Sequence, residues 1–332
     1  MGKFLLDFER PLEELQNQLD ELKRTRASQK EDIAQEIAGL EAQLQELRRE
    51  VYSRLTPWQR IQIARHPERP AALDYVHRIT SHFTELHGDR LYRDDPAIVA
   101  GLAYVGQRPI ALIAEQKGRT TKDKVARNFG MPHPEGYRKA LRVAKLAEKF
   151  SLPLLCLIDT AGAYPGVGAE ERGQAWAIAE SLREFSHLRT RIIVVNLGEG
   201  GSGGALAIGL GDRLYMLENA WYSVIAPEGC ASILFGDASQ APDAARSLRL
   251  TAADVLALGI GDGIVPEPVG GAHRDPESAA WQVSRQVQRA LEELEAMPIE
   301  AVVAERLRRI REIGVFVAGS NRTPQVESSR KG

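Results

Sequence analysis

Apolar residues in the first fifty positions repeat with the spacing of paired helices. Two runs share a spacing of four and three positions: Phe8, Leu12, Leu15, Leu19 and Leu22, then Ile33, Ile37, Leu40, Leu44 and Leu47. Each run predicts one face of a helix that pairs with another. The runs do not share one register, and the polar stretch 26–30 separates them. We therefore predict an antiparallel helical hairpin over 1–50, an arm that either packs on its own domain or docks another subunit.

The next segment, 51–95, is predicted to be a helical connector. Thr56 followed by Pro57 is typical of a helix start, and Pro67 and Pro70 then interrupt the chain. The segment contains four histidines, but no two of them have the His-x-x-x-His spacing of a zinc site. We therefore predict no metal on this chain.

From residue 96 onward, short apolar runs alternate with glycine-rich turns and amphipathic helices. Strands are predicted at 98–105, 109–115, 153–159, 191–197, 213–217 and 223–226, and helices at about 135–150, 169–186, 203–210, 228–235, 251–258 and 276–296. This alternation predicts an α/β domain over 96–297. A shorter C-terminal helix is predicted within 298–320, and the polar tail 321–332 is expected to be disordered.

Composition places the 332-residue chain among globular proteins, with 43% apolar and 27% charged residues. The net charge of −2 argues against bulk binding of nucleic acid, which needs a basic field. Two cysteines are too few for a disulfide framework or a cysteine-rich zinc site. No apolar run approaches the roughly 18 residues of a membrane helix, and charges near the N-terminus argue against a secretory signal. We therefore predict a cytoplasmic protein.

A first glycine-rich segment, 160–168, follows the predicted strand 153–159 and precedes a helix with an acidic first turn. Its small residues would expose backbone N–H groups near a helix N-terminus, where negative charge is stabilised. We predict that Gly162 and Ala163 donate to an oxyanion or line its cleft, and that Tyr164 contacts substrate. The alternative is a tight turn that binds nothing.

A second glycine-rich segment follows the strand 191–197 and holds five glycines within 198–204. Such a density costs backbone entropy, and its usual reason is the close approach of a backbone or a ligand. The residues assigned to this site are Gly203 and Gly204 as oxyanion donors, with Gly200, Gly201 and Ser202 as substrate contacts.

The same segment matches two other motifs. A Gly-x-Gly-x-x-Gly pattern beginning at Gly198 has the dinucleotide-binding spacing, and a Gly-x-Ser-x-Gly pattern centred on Ser202 has that of a nucleophile elbow. We disfavour a dehydrogenase because glycines interrupt the helix that follows. We disfavour a serine hydrolase because the only downstream histidine, His273, lies in a glycine-rich loop.

A basic stretch covers 117–145, where positive charges exceed negative ones by seven. It suits a polyphosphate such as a CoA nucleotide, or an acidic partner, unless it is only a solvated helix face. The residues predicted to bind are Lys122, Lys124, Arg127, Arg138 and Lys139.

Two backbone N–H pockets beside a basic stretch, without a paired nucleophile and base, favour one kind of catalysis. Peptide dipoles would stabilise the oxyanion that forms from a thioester carbonyl. We therefore predict acyl-CoA enolate chemistry with little acid–base work by side chains. A side chain at Gly204 is accordingly expected to stop turnover while the fold survives.

Longer motifs connect these features to a known family. They are Trp58-Gln59-Arg60, Gln116-Lys117-Gly118-Arg119, Arg127-Asn128-Phe129-Gly130-Met131-Pro132, and the stretches 162–174, 198–207 and 223–232. From about residue 4 to about 314, the chain resembles the α-subunit family of the carboxyltransferase of multisubunit bacterial acetyl-CoA carboxylase. Ala161 departs from the proline usual there, and 237–240 lacks an expected lysine.

The resemblance implies a crotonase-like α/β fold, a spiral of ββα units preceded by the N-terminal helical hairpin. It implies carboxyl transfer from carboxybiotin, held on the biotin carboxyl carrier protein, to acetyl-CoA, which gives malonyl-CoA for fatty-acid synthesis. The implied partners are a β subunit with a zinc ribbon, the carrier protein and biotin carboxylase, around an (αβ)₂ core. This subunit would mainly serve the biotin side of the active site, and the β subunit the thioester side.

Two other functions remain open at this point. The chain could be a non-catalytic docking subunit whose glycine segments only pack against a partner. It could instead be a stand-alone acyl-CoA hydratase or isomerase, which needs a carboxylic acid above the thioester. The candidates for that acid are Glu170, Glu171 and Glu199.

Overall fold

The computed structural model describes residues 4–25 and 32–314 of the chain. Two long helices come first, α1 (Arg10–Thr25) and α2 (Asp32–Ser53). The buried side chains between them are Leu12, Leu19, Ile37 and Leu44. These are positions of the two predicted apolar runs, although the side chain of Ile33 lies outside the described residues.

The two helices run antiparallel, because residues early in α1 contact residues late in α2. Arg48 Nη2 donates a hydrogen bond of 3.1 Å to Gln16 Oε1. Further along the pair, Lys23 Nζ lies 2.7 Å from Glu41 Oε1. The predicted polar turn at 26–30 lies outside the described residues.

The hairpin is tied to the rest of the chain by the buried carboxylate of Glu9. Glu9 accepts hydrogen bonds from the Leu6 backbone N–H at 3.0 Å, from Arg274 Nη2 at 2.7 Å and from the Tyr52 hydroxyl. Burial and the neighbouring carboxylate raise the pKa of Tyr52 above its usual value. The hairpin thus packs on its own domain, and the docking of another subunit stays a prediction.

The connector contains two helices and a strand. The helices are α3 (Pro57–Ala64) and α4 (Ala72–Ile79), and β1 (Ser81–Glu85) follows them. The connector predicted over 51–95 thus contains helices as expected, and also a strand that the sequence analysis did not predict. The strand is short, mostly polar and largely exposed, so its sequence carries little of the alternation that indicates a strand.

One mixed sheet organises the domain. Its other strands within the described residues are β2 (Ile98–Val105), β3 (Arg108–Glu115), β4 (Leu154–Thr160), β5 (Ile192–Gly201), β6 (Arg213–Leu217), β7 (Trp221–Ser223) and β8 (Gly263–Val265). The order is β1-β2-β3-β4-β5-β6-β8, and β7 pairs with the end of β5. The first three strands are antiparallel, and those from β3 to β8 are parallel.

Two strand boundaries differ from the sequence prediction. The strand predicted at 191–197 continues to Gly201, because its last three residues pair with Trp221, Tyr222 and Ser223. The strand predicted at 223–226 is observed at 221–223, as β7. Much of the second glycine segment is therefore extended backbone in the sheet and not a loop.

Helices cover both faces of the sheet. The remaining ones in the described part are α5 (Thr121–Ala126), α6 (Pro134–Lys149), α7 (Val167–Glu171), α8 (Gln174–His187), α9 (Ser202–Gly209), α10 (Pro227–Phe235), α11 (Ala241–Leu248), α12 (Ala252–Ala257), α13 (Pro276–Glu295) and α14 (Ile299–Glu312). The single helix predicted over 169–186 is divided into α7 and α8 by Gly173, whose φ of +81° favours glycine. The predicted tail 321–332 lies outside the described residues.

The core has two halves, one on each face of the sheet. Residues of α4 and α13 pack on one face, and residues of α6 and α9 on the other. β4 is buried along its whole length, as expected of a central parallel strand. Polar groups on these strands therefore concentrate where the strands end.

Across residues 4–25 and 32–314, no helix is both long and apolar enough to cross a membrane.

A buried arginine fastens the C-terminal helix α14 to this core. The guanidinium of Arg306 lies 2.8 and 2.9 Å from the two carboxylate oxygens of Asp212. It also donates to the backbone carbonyls of Phe185, Leu188 and Thr190. Removing the guanidinium would leave a buried carboxylate without its cation, which is costly.

We predict that Arg306→Met lowers the free energy of unfolding by about 3–5 kcal/mol. The matched control is Arg308→Met on the same helix, where the arginine contacts only exposed glutamates and the expected change is within about 0.5 kcal/mol. Urea unfolding of both variants measures the difference. Equal stability of the two variants would contradict the anchoring role of Arg306.

Candidate active site

The carboxyl ends of three neighbouring strands bring charged side chains together. Lys117 follows β3, Asp159 lies near the end of β4 and Glu199 lies near the end of β5. The Lys117 ammonium lies 2.7 Å from Asp159 Oδ1 and 2.7 Å from Glu199 Oε1. Parallel strands end at one edge of a sheet, and open α/β sheets bind ligands at that edge.

Arg65 extends this cluster from the end of α3. Its Nε lies 2.6 Å from Glu199 Oε2, and its Nη1 lies 2.5 Å from Glu228 Oε1 on α10. Burial by itself would raise the pKa of Glu199, but the charges of Lys117 and Arg65 outweigh it and lower that pKa to about 2. Glu199 is therefore held as a carboxylate and is not available as an acid.

The arrangement gives no support to a stand-alone hydratase. Glu199 is held by two cations, and the other two candidate acids, Glu170 and Glu171, lie exposed on the short helix α7. A hydratase needs a carboxyl group poised inside a water-excluding site. None of the three proposed acids meets that requirement in the part of the chain that the structure describes.

A second carboxyl group, Glu115, lies buried behind the cluster. Its Oε2 accepts the Asp159 backbone N–H at 3.1 Å, and its Oε1 has no hydrogen-bonding partner within the described residues. Burial, reinforced by the Asp159 charge, raises the pKa of Glu115 well above its usual range. This favours the protonated form, which avoids a second buried negative charge beside Asp159.

The two glycine-rich segments touch through their backbones. A Cβ on Gly201 would lie 2.0 Å from the Ala161 carbonyl oxygen, and a Cβ on Gly204 would lie 2.4 Å from the Gly162 carbonyl carbon and 2.6 Å from the Ala163 nitrogen. Only glycine permits such an approach. Gly201 and Gly204 are thus packing glycines. A side chain at Gly204 would strain this contact, and survival of the fold in such a variant stays a prediction.

The predicted backbone donors differ in whether their N–H groups are free. The Gly162 N–H donates to Thr160 Oγ1 at 3.1 Å and is therefore occupied. The Ala163 N–H has no acceptor among the described residues. The Gly203 N–H lies in the first turn of α9, where N–H groups have no partner within the helix. The Gly204 N–H lies in the same first turn. Because the segments touch, the free N–H of Ala163 lies close to the start of α9.

Ser202 lies at the sharp junction of β5 and α9, exposed and with a φ of +52°. Its hydroxyl has no histidine partner within the described residues. His273 is half-buried instead and stacks on the buried His66, with 3.8 Å between the ring centroids. The elbow geometry is present without its base, so a serine hydrolase is not supported. The dinucleotide pattern fails as well, because Gly198–Gly201 belongs to a strand.

The basic stretch is largely occupied by internal contacts. Lys139 is fully buried, with its ammonium 2.6 Å from Asp94. Arg138 Nε lies 2.8 Å from Asp89 Oδ2, and Arg127 Nε lies 2.7 Å from an aspartate one turn earlier. All three predicted ligand contacts thus form ion pairs within the chain, and ligand binding by Arg127 and Arg138 stays a prediction. Lys139, in particular, does not reach the surface.

Two lysines of the stretch remain available to a ligand. Lys122 is exposed on α5, and neither it nor Lys124 has an ion-pair partner in the described part of the chain. Lys124 lines a cavity of about 230 Å³ together with Lys117, Ala161 and Phe129. The ring of Tyr164, another predicted substrate contact, packs against the ring of His133, with 4.2 Å between the ring centroids.

Sequence reasoning missed Arg65 and Asp159 as members of the site. Asp159 closes a buried strand just before the first glycine segment, a position where a polar side chain is a useful signal. Arg65 comes from a distant helix, so no local pattern places it there. In the described residues, no group of three or more histidine, cysteine, aspartate and glutamate side chains is arranged to hold a metal.

We predict that Gly204→Ala destabilises the protein by about 1–3 kcal/mol, because its methyl group would overlap backbone atoms. Gly203→Ala is the matched control, since a Cβ there meets only the Ile178 side chain, at 3.4 Å. Its expected change is less than about 1 kcal/mol. Urea unfolding distinguishes the two, and equal stability would mean that the glycine segments do not depend on their contact.

Sequence comparison identifies relatives along almost the whole chain. Residues 5–314 match a family described as acetyl co-enzyme A carboxylase carboxyltransferase-like. A Thermus thermophilus protein named acetyl-coenzyme A carboxylase carboxyl transferase subunit alpha is 53% identical over 94% of this chain and 98% of its own length. A Methylococcus capsulatus protein of the same name is 52% identical over 94% of this chain and 97% of its own length.

Structure comparison supports the same assignment at the level of the fold. Transcarboxylase 12S is similar with a TM-score of 0.56 and 21% identity, over 68% of this chain and 41% of that one, so this chain spans about two fifths of it. A Pseudomonas malonate decarboxylase heterodimer is similar with a TM-score of 0.53 and 17% identity, over 65% of this chain and 91% of that one. The predicted crotonase-like α/β fold is confirmed, and the chain belongs to the acetyl-CoA carboxylase carboxyltransferase family.

Proposed function

We propose that this chain is the α subunit of a carboxyltransferase that moves a carboxyl group from carboxybiotin to acetyl-CoA, giving malonyl-CoA. Family membership supports the reaction. The observation that carries the site is the contact of the two glycine segments. The Ala163 N–H has no acceptor among the described residues, and the Gly203 N–H has no partner within α9. The single cleft they share is built for a developing negative charge and not for a nucleophile.

The residues present fit the biotin side of such a reaction. Carboxybiotin, when bound, supplies the carboxyl group and leaves negative charge on its ureido oxygen. Ala163 and Gly203 offer neutral N–H donors on rigid backbone, which stabilise that charge without reorganisation. One such donor is typically worth about 10²–10³ in rate.

Side chains at the cleft bind and orient more than they transfer protons. Ser202 has no base beside it, and Glu199 is held as a carboxylate by Lys117 and Arg65. We assign no residue of this chain to accept the proton of the acetyl methyl group. We assign that proton to a group outside this chain. Lys122 and Lys124 remain suited to phosphate groups of acetyl-CoA or to acidic residues of the carrier protein.

The surface around the glycine segments supports a second subunit. Large apolar side chains are exposed on the elements that follow these segments: Val167 on α7 at 75%, Trp176 on α8 at 76% and Leu206 on α9 at 42%. Helix α8 packs against both α7 and α9, and exposed apolar side chains on neighbouring helices suit an interaction surface. We assign this surface to the zinc-ribbon β subunit, in an (αβ)₂ core that works in the cytoplasm with the carrier protein and biotin carboxylase.

The test is the formation of malonyl-CoA by the purified chain, with and without its β subunit. We expect activity only in the complex. Gly203→Val should lower kcat by about 10²–10³, because the new side chain crowds the backbone N–H of residue 203. Ser202→Ala should change kcat less than about threefold. An inactive Ser202→Ala beside an active Gly203→Val would reverse this assignment of the site.

The role of the arm is tested separately. Deleting residues 1–50 should weaken assembly with the β subunit, because the hairpin presents a long helical surface beyond its anchor at Glu9. Sedimentation of the mixture measures assembly, and circular dichroism of the truncated chain checks that the remaining domain is folded. Normal affinity of a folded truncated chain would show that the arm only packs on its own domain.

A further inference from the structure

We infer that Lys117 is a positioning residue for carboxyl transfer: it bridges Asp159 and Glu199 and thereby holds the two glycine segments in register. The inference rests on the proposed function. Lys117 acts here through two carboxylates and not through contact with the reacting atoms.

The carboxylates that Lys117 bridges lie close in sequence to the contact between the two glycine segments. Asp159 precedes Ala161 by two residues, and Glu199 precedes Gly201 by two residues. Asp159 Oδ1 accepts both the Lys117 ammonium at 2.7 Å and the Glu199 backbone N–H at 3.0 Å. A displacement at this point passes directly into the backbone contact between the segments.

That contact sets the relative position of the donors. The Gly201 α-carbon lies against the Ala161 carbonyl, and the Gly204 α-carbon lies against the Ala163 nitrogen. The N–H groups of Ala163 and Gly203 therefore keep their spacing only while the two strand ends stay together. A misplacement of about 1 Å in a catalytic geometry can cost about 10²-fold in rate.

Electrostatics explains why one lysine matters so much. The side chains of Asp159 and Glu199 are only 7% and 8% exposed, and both meet the same ammonium. Without it, two buried carboxylates would face each other and repel. Arg65 cannot replace Lys117, because its guanidinium already contacts Glu199 on one side and Glu228 on the other.

The other charged or titratable groups around the cluster come from several elements. They are Arg65, Arg69, His66, Glu115, Lys124 and Glu228. Arg69 forms an ion pair with Glu267 at 2.7 Å, and Lys124, on α5, lines the cavity without a partner among the described ion pairs. Lys117 is thus the residue that meets both carboxylates.

The experiment uses the complex of this chain with its β subunit. Lys117→Met should lower kcat for malonyl-CoA formation by about 10²-fold, with the KM for acetyl-CoA changed less than about threefold. Lys117→Arg, which keeps a cation able to bridge two carboxylates, should stay within about tenfold of wild type. The control is Arg108→Met at the opposite end of β3, where a half-buried arginine contacts Glu292 and Glu295; its kcat should not change.

A compensating substitution distinguishes positioning from simple loss of structure. In Lys117→Met/Glu199→Gln, the amide can accept from Arg65 and donate to Asp159, which replaces the lost bridge. The kcat of the double variant should therefore be about tenfold higher than that of Lys117→Met. If Lys117→Met does not fold, the double variant and Lys117→Arg still report on the bridge.

The pH profile of Lys117→Met provides a second signature. Losing one of its two cations raises the pKa of Glu199 from its present value of about 2. Below the raised pKa, Glu199 is protonated and can donate to Asp159; above it, both groups are charged and repel. Activity relative to wild type should therefore fall as the pH rises.

Three outcomes would overturn the inference. They are wild-type kcat in Lys117→Met, a loss that is equal at every pH, and a double variant no more active than Lys117→Met. A wild-type complex that forms no malonyl-CoA would instead contradict the proposed function itself, so the two failures are distinguishable.

Discussion

The close backbone contact between two glycine-rich segments is the constraint on which the site depends. Gly201 and Gly204 approach the first segment to distances that no side chain allows. The approach brings the end of β4 next to the end of β5, and the free N–H of Ala163 next to the first turn of α9. The density of glycine is therefore required by packing as much as by ligand access.

The charges at the same edge of the sheet serve this contact. Lys117, Asp159, Glu199, Arg65 and Glu228 form a continuous chain of ion pairs from β3 to α10. Buried charges are tolerated only when they are paired, so each strand end fixes the next. The proposed chemistry relies on backbone donors, whose orientation is set by the fold and not by flexible side chains.

The site is also one-sided. Apolar side chains such as Trp176 and Val167 are exposed on the helices that follow the first glycine segment, and Ser202 has no histidine partner among the described residues. The relatives that share about half of the sequence are named as α subunits. An incomplete site bordered by an apolar surface is consistent with that subunit role, because a partner can supply both the cover and the missing groups.

The sequence by itself determined the α/β alternation, the paired helices of the arm and the two glycine segments that follow buried strands, because hydrophobic periodicity and glycine content are local signals. Only the tertiary structure decided the role of each residue. Lys139 and Lys124 belong to the same basic stretch, yet Lys139 is buried on Asp94 and Lys124 lines the cavity. Gly203 and Gly204 are neighbours, yet only Gly204 meets the other segment. These differences depend on contacts between residues that are distant in the chain, and local spacing carries no information about such contacts.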